Sequence, residues 1–202
     1  MQNVRVFFEK TGMTKYISHL DLMRCMTRAI KRAAIPAWYT EGFNPHLFIT
    51  FALPLTLGVE SLCESMDIRL TEEMGFEEVK NRLNVNLPDG IRITNVAVPV
   101  YKANDIAFAE YKITFHTRKN EKIKNEIEEK LLGDELLAEK MGKQGKRKVL
   151  KTINLKEFVN SYSVISLNDK TVLTAVLTAG SKNNINPNPV SYTHLTLPTK
   201  LE

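Results

Sequence analysis

The sequence predicts an α+β protein, a ferredoxin-like βαββαβ unit followed by a second, less regular α+β unit. Three observations carry that prediction. Short segments alternate apolar and polar residues with the two-residue period of half-buried strands. Between them lie stretches of helical periodicity, opened by capping residues and closed by Pro or Gly. The order strand, helix, strand, strand, helix, strand is complete by residue 98, after which a strand and a helix begin again.

Val4, Val6 and Phe8 alternate with Arg5, Phe7 and Glu9 as the first strand. Ser18 is an N-cap with Asp21 three residues on, a capping-box spacing with Asp in place of Glu. Leu22, Met23, Met26, Ala29, Ile30 and Ala33 form the apolar stripe of that helix, and Pro36 closes it. Leu47, Ile49, Phe51 and Leu53 mark a second strand, with a turn over residues 54–58. Leu62, Met66, Ile68 and Leu70 form one face of a third, and parity puts Glu64 on that same core side. A buried carboxylate needs a partner, expected from a basic residue of the first helix unless a bulge turns Glu64 outward. Phe76, Val79 and Leu83 mark a short helix, Pro88-Asp89-Gly90 a turn, and residues 91–98 a strand whose parity slips near Asn95, as at a bulge.

In the second unit Tyr111, Ile113 and Phe115 form a strand, and Asn120 caps a helix carrying Ile123, Ile127 and Leu131. A basic stretch with Gly142 and Gly145 follows, then a hairpin of residues 162–167 and 171–177 around Asn168-Asp169. The expected domains are residues 2–100 and 106–189. Residues 190–202 read as a translated sequencing adapter, a non-native tail outside the fold.

Composition narrows the function classes. With 202 residues, 43% hydrophobic and 25% charged, disordered, collagen-like and fibrous readings drop out. No apolar run approaches the roughly 20 residues that span a bilayer, and Glu9 and Lys10 break the opening segment too early for a signal peptide. Cys25 and Cys63 are too few for a disulfide framework, an all-Cys zinc site or an iron–sulfur cluster, so a reducing cytoplasm is the expected location. Basic residues number 28 against 23 acidic, a net charge of +5. That surplus is concentrated: residues 140–151 hold six basic residues and no acidic one.

Two kinds of chemistry suggest themselves. Arg24, Arg28 and Arg32 recur at i, i+4, i+8 along the first helix, a row that suits phosphate contacts as well as plain solvation. Lys143, Lys146, Arg147, Lys148 and Lys151 form the second basic element, and Gly142-Lys143-Gln144-Gly145 has a GxxG form, read as a hairpin tip. Trp38, Tyr39 and Phe43 are candidates for base stacking or for the core. The other kind is acid–base or metal chemistry by His19, Asp21, Glu41, His46, Glu60 and Glu64, if the loop over residues 41–46 folds back to His19 and Asp21 as one polar pocket. Their spacing matches no metal motif, so no metal ligands are assigned.

Tyr16-Ile17-Ser18-His19-Leu20-Asp21-Leu22-Met23-Arg24, Tyr39-Thr40-Glu41-Gly42-Phe43-Asn44-Pro45-His46, Phe51-Ala52-Leu53-Pro54-Leu55, Gly58-Val59-Glu60-Ser61 and Glu64-Ser65-Met66-Asp67 form an ordered set. Together they resemble the bacterial radical-SAM-linked family, a domain of unknown function that stands alone or is fused behind a radical SAM protein. The resemblance covers residues 2–189; Thr40 stands where members more often have Ser, and Ser65 where Tyr is common. It implies a partner rather than a reaction. This chain lacks the CxxxCxxC motif, so S-adenosylmethionine and an iron–sulfur cluster are expected only in a radical SAM partner. The expected function is an RNA-binding accessory protein; the alternatives are an enzyme such as a nuclease using the polar cluster, and a protein-interaction module.

Overall fold

The structure, a computed structural model, describes residues 1–116, 120–133, 136–144 and 147–180. The chain divides into two compact units, Met1–Ile106 and Ala107–Glu202. The expected adapter tail lies outside the described residues, as does Lys146. No helix among the described residues is long and apolar enough to cross a membrane.

In the first unit the elements are β1 (Gln2–Lys10), α1 (His19–Arg32), β2 (Ile49–Phe51), β3 (Ser61–Leu70), α2 (Phe76–Asn86) and β4 (Ile91–Ala97). The sheet order is β2-β3-β1-β4 with every pair antiparallel, which is the ferredoxin-like arrangement. Val4, Val6 and Phe8, Met66, Ile68 and Leu70, and Ile91, Ile93 and Val96 all point to one face. There they meet Leu22, Met26, Ala29 and Ile30 of α1 and Val79 and Leu83 of α2 in a single core.

Local chemistry sets the ends of these elements. Ser18 Oγ accepts from the Asp21 amide at 3.2 Å and donates to Asp21 Oδ2 at 2.6 Å, starting α1 where the capping pattern put it. The slip at Asn95 is a bulge: Phe7 pairs with Asn95 but Phe8 with Ile93. β4 is an edge strand, and Asn84 of α2 occupies both backbone groups of Ile93, at 2.8 and 3.1 Å, which blunts that edge.

Two expectations for this unit are corrected. The second strand is three residues long instead of residues 47–53, because Leu47 bridges back to Tyr39. Leu62 is not on the core face but 72% exposed. Phe8 pairs with Glu64 and Lys10 with Ser61, so an extra residue at Leu62 and Cys63 breaks the parity and swings both outward.

The second unit comprises β5 (Phe108–His116), α3 (Asn120–Leu132), a hairpin of β6 (Leu137–Gln144) and β7 (Arg147–Asn154), and a hairpin of β8 (Val159–Leu167) and β9 (Lys170–Thr178). A three-stranded sheet, β5-β9-β8, packs Leu173, Ala175 and Leu177 against Ile123 and Ile127 of α3. Asn120, expected as a cap, is the first residue of α3, and its side-chain amide donates to Leu167 O at the end of β8 at 2.7 Å. Gly142, Lys143 and Gln144 of the GxxG stretch lie in β6, which pairs with β7, and Gly145 lies outside the described residues.

Gly90 gives the first test. Its φ of +89° needs glycine, and a Cβ there would stand 2.6 Å from Thr11 O and 2.9 Å from Thr14 Cγ2. Gly90→Ala should lower the unfolding free energy by about 2 kcal/mol or more, combining the left-handed backbone with the clash. A urea midpoint unchanged from wild type would refute this.

Candidate functional site

The arginine row is where α1 places it. Leu22, Met26, Ala29 and Ile30 are buried, so Arg24, Arg28 and Arg32 emerge on the solvent side. They line an open groove of about 610 Å³ whose other wall is the end of α2 and the following turn, Val85 to Pro88. The three are not equivalent. Arg24 Nη1 pairs with Asp21 Oδ1 at 3.0 Å on the exposed first turn. Arg32 Nη2 donates to Asn86 O at the C-terminus of α2, where helix carbonyls are electronegative. Arg28, between them, makes no hydrogen bond or ion pair among the described residues. The groove thus sets three guanidiniums against one carboxylate.

Asp21 belongs to this wall. The hydroxyl of Ser18, and then the guanidinium of Arg24, hold its carboxyl below the usual range, so it stays ionised. Cys25 is half-buried in the groove; burial pushes its thiol up, more than Arg32 and Arg28 pull it down, which favours the protonated thiol.

The remaining polar candidates do not assemble into one pocket. His19 packs edge-on against Phe51 with ring centres 5.0 Å apart. Glu60 accepts from the Gly12 amide at 3.2 Å and pairs with Lys15 at 3.1 Å. His46 is bound at the far side of its loop, with Nδ1 3.0 Å from Thr40 Oγ1. Neighbouring Tyr39 lies under Lys31, in the last turn of α1. His19 and Lys31 are twelve residues apart, about 18 Å along the helix, so the two histidines sit toward opposite ends of it. The cause is long-range pairing. Trp38 N donates to Arg69 O, and Ala37 bridges Leu70, which carries the loop away from His19. Glu41 and Phe43 are exposed in that loop. Among the described residues no three His, Cys, Asp or Glu side chains converge on a metal-sized site.

Glu64 is half-buried, and its cationic neighbour is not on α1 but at the end of β1. Lys10 is 2% exposed, and its Nζ donates to Ile17 O at 3.3 Å and Lys15 O at 3.5 Å. Burial pushes the Glu64 carboxyl up, against the pull of the Ser61 hydroxyl and then Lys10; burial likewise pushes the Lys10 ammonium down. The residue reading missed Lys10, although parity exposes it: Val4, Val6, Phe8 and Lys10 share one face.

In the second unit the backbone register sets Lys143 opposite Lys148 and Lys140 opposite Lys151, with Gln144 opposite Arg147.

Residues 3–187 match the family described as uncharacterized protein conserved in bacteria (DUF2344). No curated protein matches the chain.

Glu64 yields a signed pH test. Its folded carboxyl titrates above its ordinary 4.5, so the folded state binds the proton more tightly than the unfolded chain. Stability from this group is therefore full below about 4.5 and is lost as pH rises through the folded value. Glu64→Gln removes that dependence. The urea stability of wild type minus that of the variant should fall as pH rises from about 4 to 7; a flat or rising difference would contradict it.

Proposed function

The chain belongs to this family of bacterial proteins, and from that premise we propose that it is a non-catalytic accessory protein of a radical SAM enzyme and binds RNA through basic surface. The arginine groove of α1 carries the RNA part. Three guanidiniums stand in line along an open groove, and the middle one has no partner among the described residues. Arginine is the side chain best suited to such oxygens, because its planar donors engage them in pairs. The backbone register of Lys143 with Lys148 and of Lys140 with Lys151 sets basic residues across one hairpin, which supports a second contact.

The partner rests on the motifs at residues 16–24 and 39–46. In that pairing the S-adenosylmethionine and the iron–sulfur cluster belong to the radical SAM protein, because Cys25 and Cys63 cannot supply a cluster-binding set. A tagged chain expressed in its host should retain a protein carrying the CxxxCxxC motif; its absence would remove the partner from the proposal.

Salt dependence tests the RNA reading. Arg24→Gln with Arg28→Gln should weaken binding of a single-stranded RNA and flatten the log-affinity against log-salt slope by roughly 1.4, at about 0.7 per lost phosphate contact. Replacing Lys146, Arg147 and Lys148 with Ala should flatten it by roughly 2. The helix substitutions lie on an exposed face and should shift stability by no more than about 0.5 kcal/mol. Binding that is absent, or that keeps wild-type slope and affinity in both variants, decides for a protein-interaction module instead.

A further inference from the structure

The ferredoxin-like unit packs α1 and α2 on one face of its sheet, and on the other face the chain after β4 reaches Arg5 at Tyr101 O. Asn3, Arg5 and Phe7 of β1 lie there, opposite Arg69, Asp67 and Ser65 of β3 in register. The two arginines of this face are in different states. Arg5 is closed by a bidentate pair with Asp67 at 2.7 and 2.9 Å and by a bond to Tyr101 O. Arg69 has no carboxylate partner among the described residues, and its Nε donates to Asn3 Oδ1 at 3.2 Å. Two rings meet its guanidinium: Arg69 Cζ is 5.0 Å from the Trp38 ring centre and 5.1 Å from that of Phe48. The rings themselves pack edge-on at 5.6 Å. Trp38, Phe48 and Arg69 all remain part-exposed, as does Phe7, four residues along β1 from Asn3, about 13 Å away.

We propose that this face is a platform for the bases of single-stranded RNA, with one base stacked on the Trp38–Arg69–Phe48 group and another on Phe7. The proposal rests on the RNA reading above and adds where the bases go. Aromatic rings and guanidinium planes are the surfaces on which unpaired bases stack, and a flat sheet face displays them side by side. The uncompensated charge of Arg69 favours a polyanion over an apolar peptide, which would have to desolvate it unpaired. Asn3, Ser65 and Asn95 supply neutral hydrogen-bonding groups among the stacking positions. The arginine groove looks out from the helix side of the same unit, so phosphate contacts there and base contacts here can be lost separately.

Trp38 is the only tryptophan of the chain, so its emission reports on this face alone. The test titrates the full chain with a dye-labelled single-stranded 12-mer of uridine and with an abasic strand of equal length, reading anisotropy and Trp38 emission together. The uridine strand should quench Trp38 to saturation, whereas the abasic strand should bind more weakly without quenching. Arg69→Gln and Phe7→Leu should each weaken the uridine strand about tenfold, within the range of one lost stacking contact, and Arg28→Gln should keep the quenching. Far-UV circular dichroism and the urea midpoint of Arg69→Gln and Phe7→Leu should match wild type, which separates lost stacking from misfolding. Anisotropy that reports binding while Trp38 emission and both weakened variants stay at wild-type values overturns the platform and leaves the RNA reading standing. No binding of either strand overturns both.

Discussion

An ammonium group brought to the end of a central strand has to find acceptors before the chain around it can pack, because an unpaired buried charge costs several kcal/mol. Lys10 is in that position: it continues the inward row of Val4, Val6 and Phe8 and is almost wholly buried. Its acceptors are the carbonyls of Lys15 and Ile17, and the chain between β1 and α1 therefore turns back over the strand end. Thr11 and Thr14 tie the same segment to Gly90 O, across the turn that precedes β4. Glu64 approaches from β3, its carboxyl pushed up by burial against the pull of Ser61 and then Lys10. Three separate stretches of the first unit thus meet around one side chain.

What that meeting controls is the start of α1. Once Ile17 O is held by Lys10, Ser18 follows at once as the N-cap, and the first helical residue is fixed at His19. A helix whose start is fixed has its phase fixed, since each residue advances it by about 100°. The apolar stripe then falls on the sheet and the arginine row on solvent, beside the end of α2. Arg32 completes the placement by bonding Asn86 O, a contact between two helices that no local pattern encodes. The exposed charges of the groove depend in this way on a buried one beside the start of the helix.

The sequence was legible wherever the deciding interaction is local or periodic. The cap at Ser18, the stripe of α1 and the bulge near Asn95 follow from spacing alone, because a slip of parity inside one strand leaves its mark on the residues themselves. The bulge at Leu62 and Cys63 left none: Leu62 is apolar and sits in step with Met66 and Ile68, so only the pairing with β1 reveals the extra residue. The same limit hid the course of the loop over residues 41–46. Its direction is set by Trp38 and Ala37 pairing with Arg69 and Leu70, some thirty residues away. The candidate site divides along that line. Arg24, Arg28 and Arg32 form a row because one helix carries them, whereas His19 and His46 needed a long-range convergence that this pairing prevents.

Partnering of the arginines separates those that hold the first unit together from those left to meet something else. Arg5 is engaged by Asp67 in a pair that is part-buried between β1 and β3, where the fixed fork of hydrogen bonds matters more than the charge itself. Arg82 reaches Glu78 one turn back on α2 and the carbonyls of Ala33 and Ala34 just past α1, so it ties two helix ends. Arg32 does similar work at Asn86. Besides Arg92, which has no side-chain partner among the described residues, Arg28 and Arg69 remain, the first likewise without one and the second held by rings and a neutral amide. A guanidinium on a stable surface costs little while water solvates it, and gains when an anion or a stacked base replaces that water. These two stand on opposite sides of the same sheet-and-helix layer, each fixed in place by backbone that other interactions already hold.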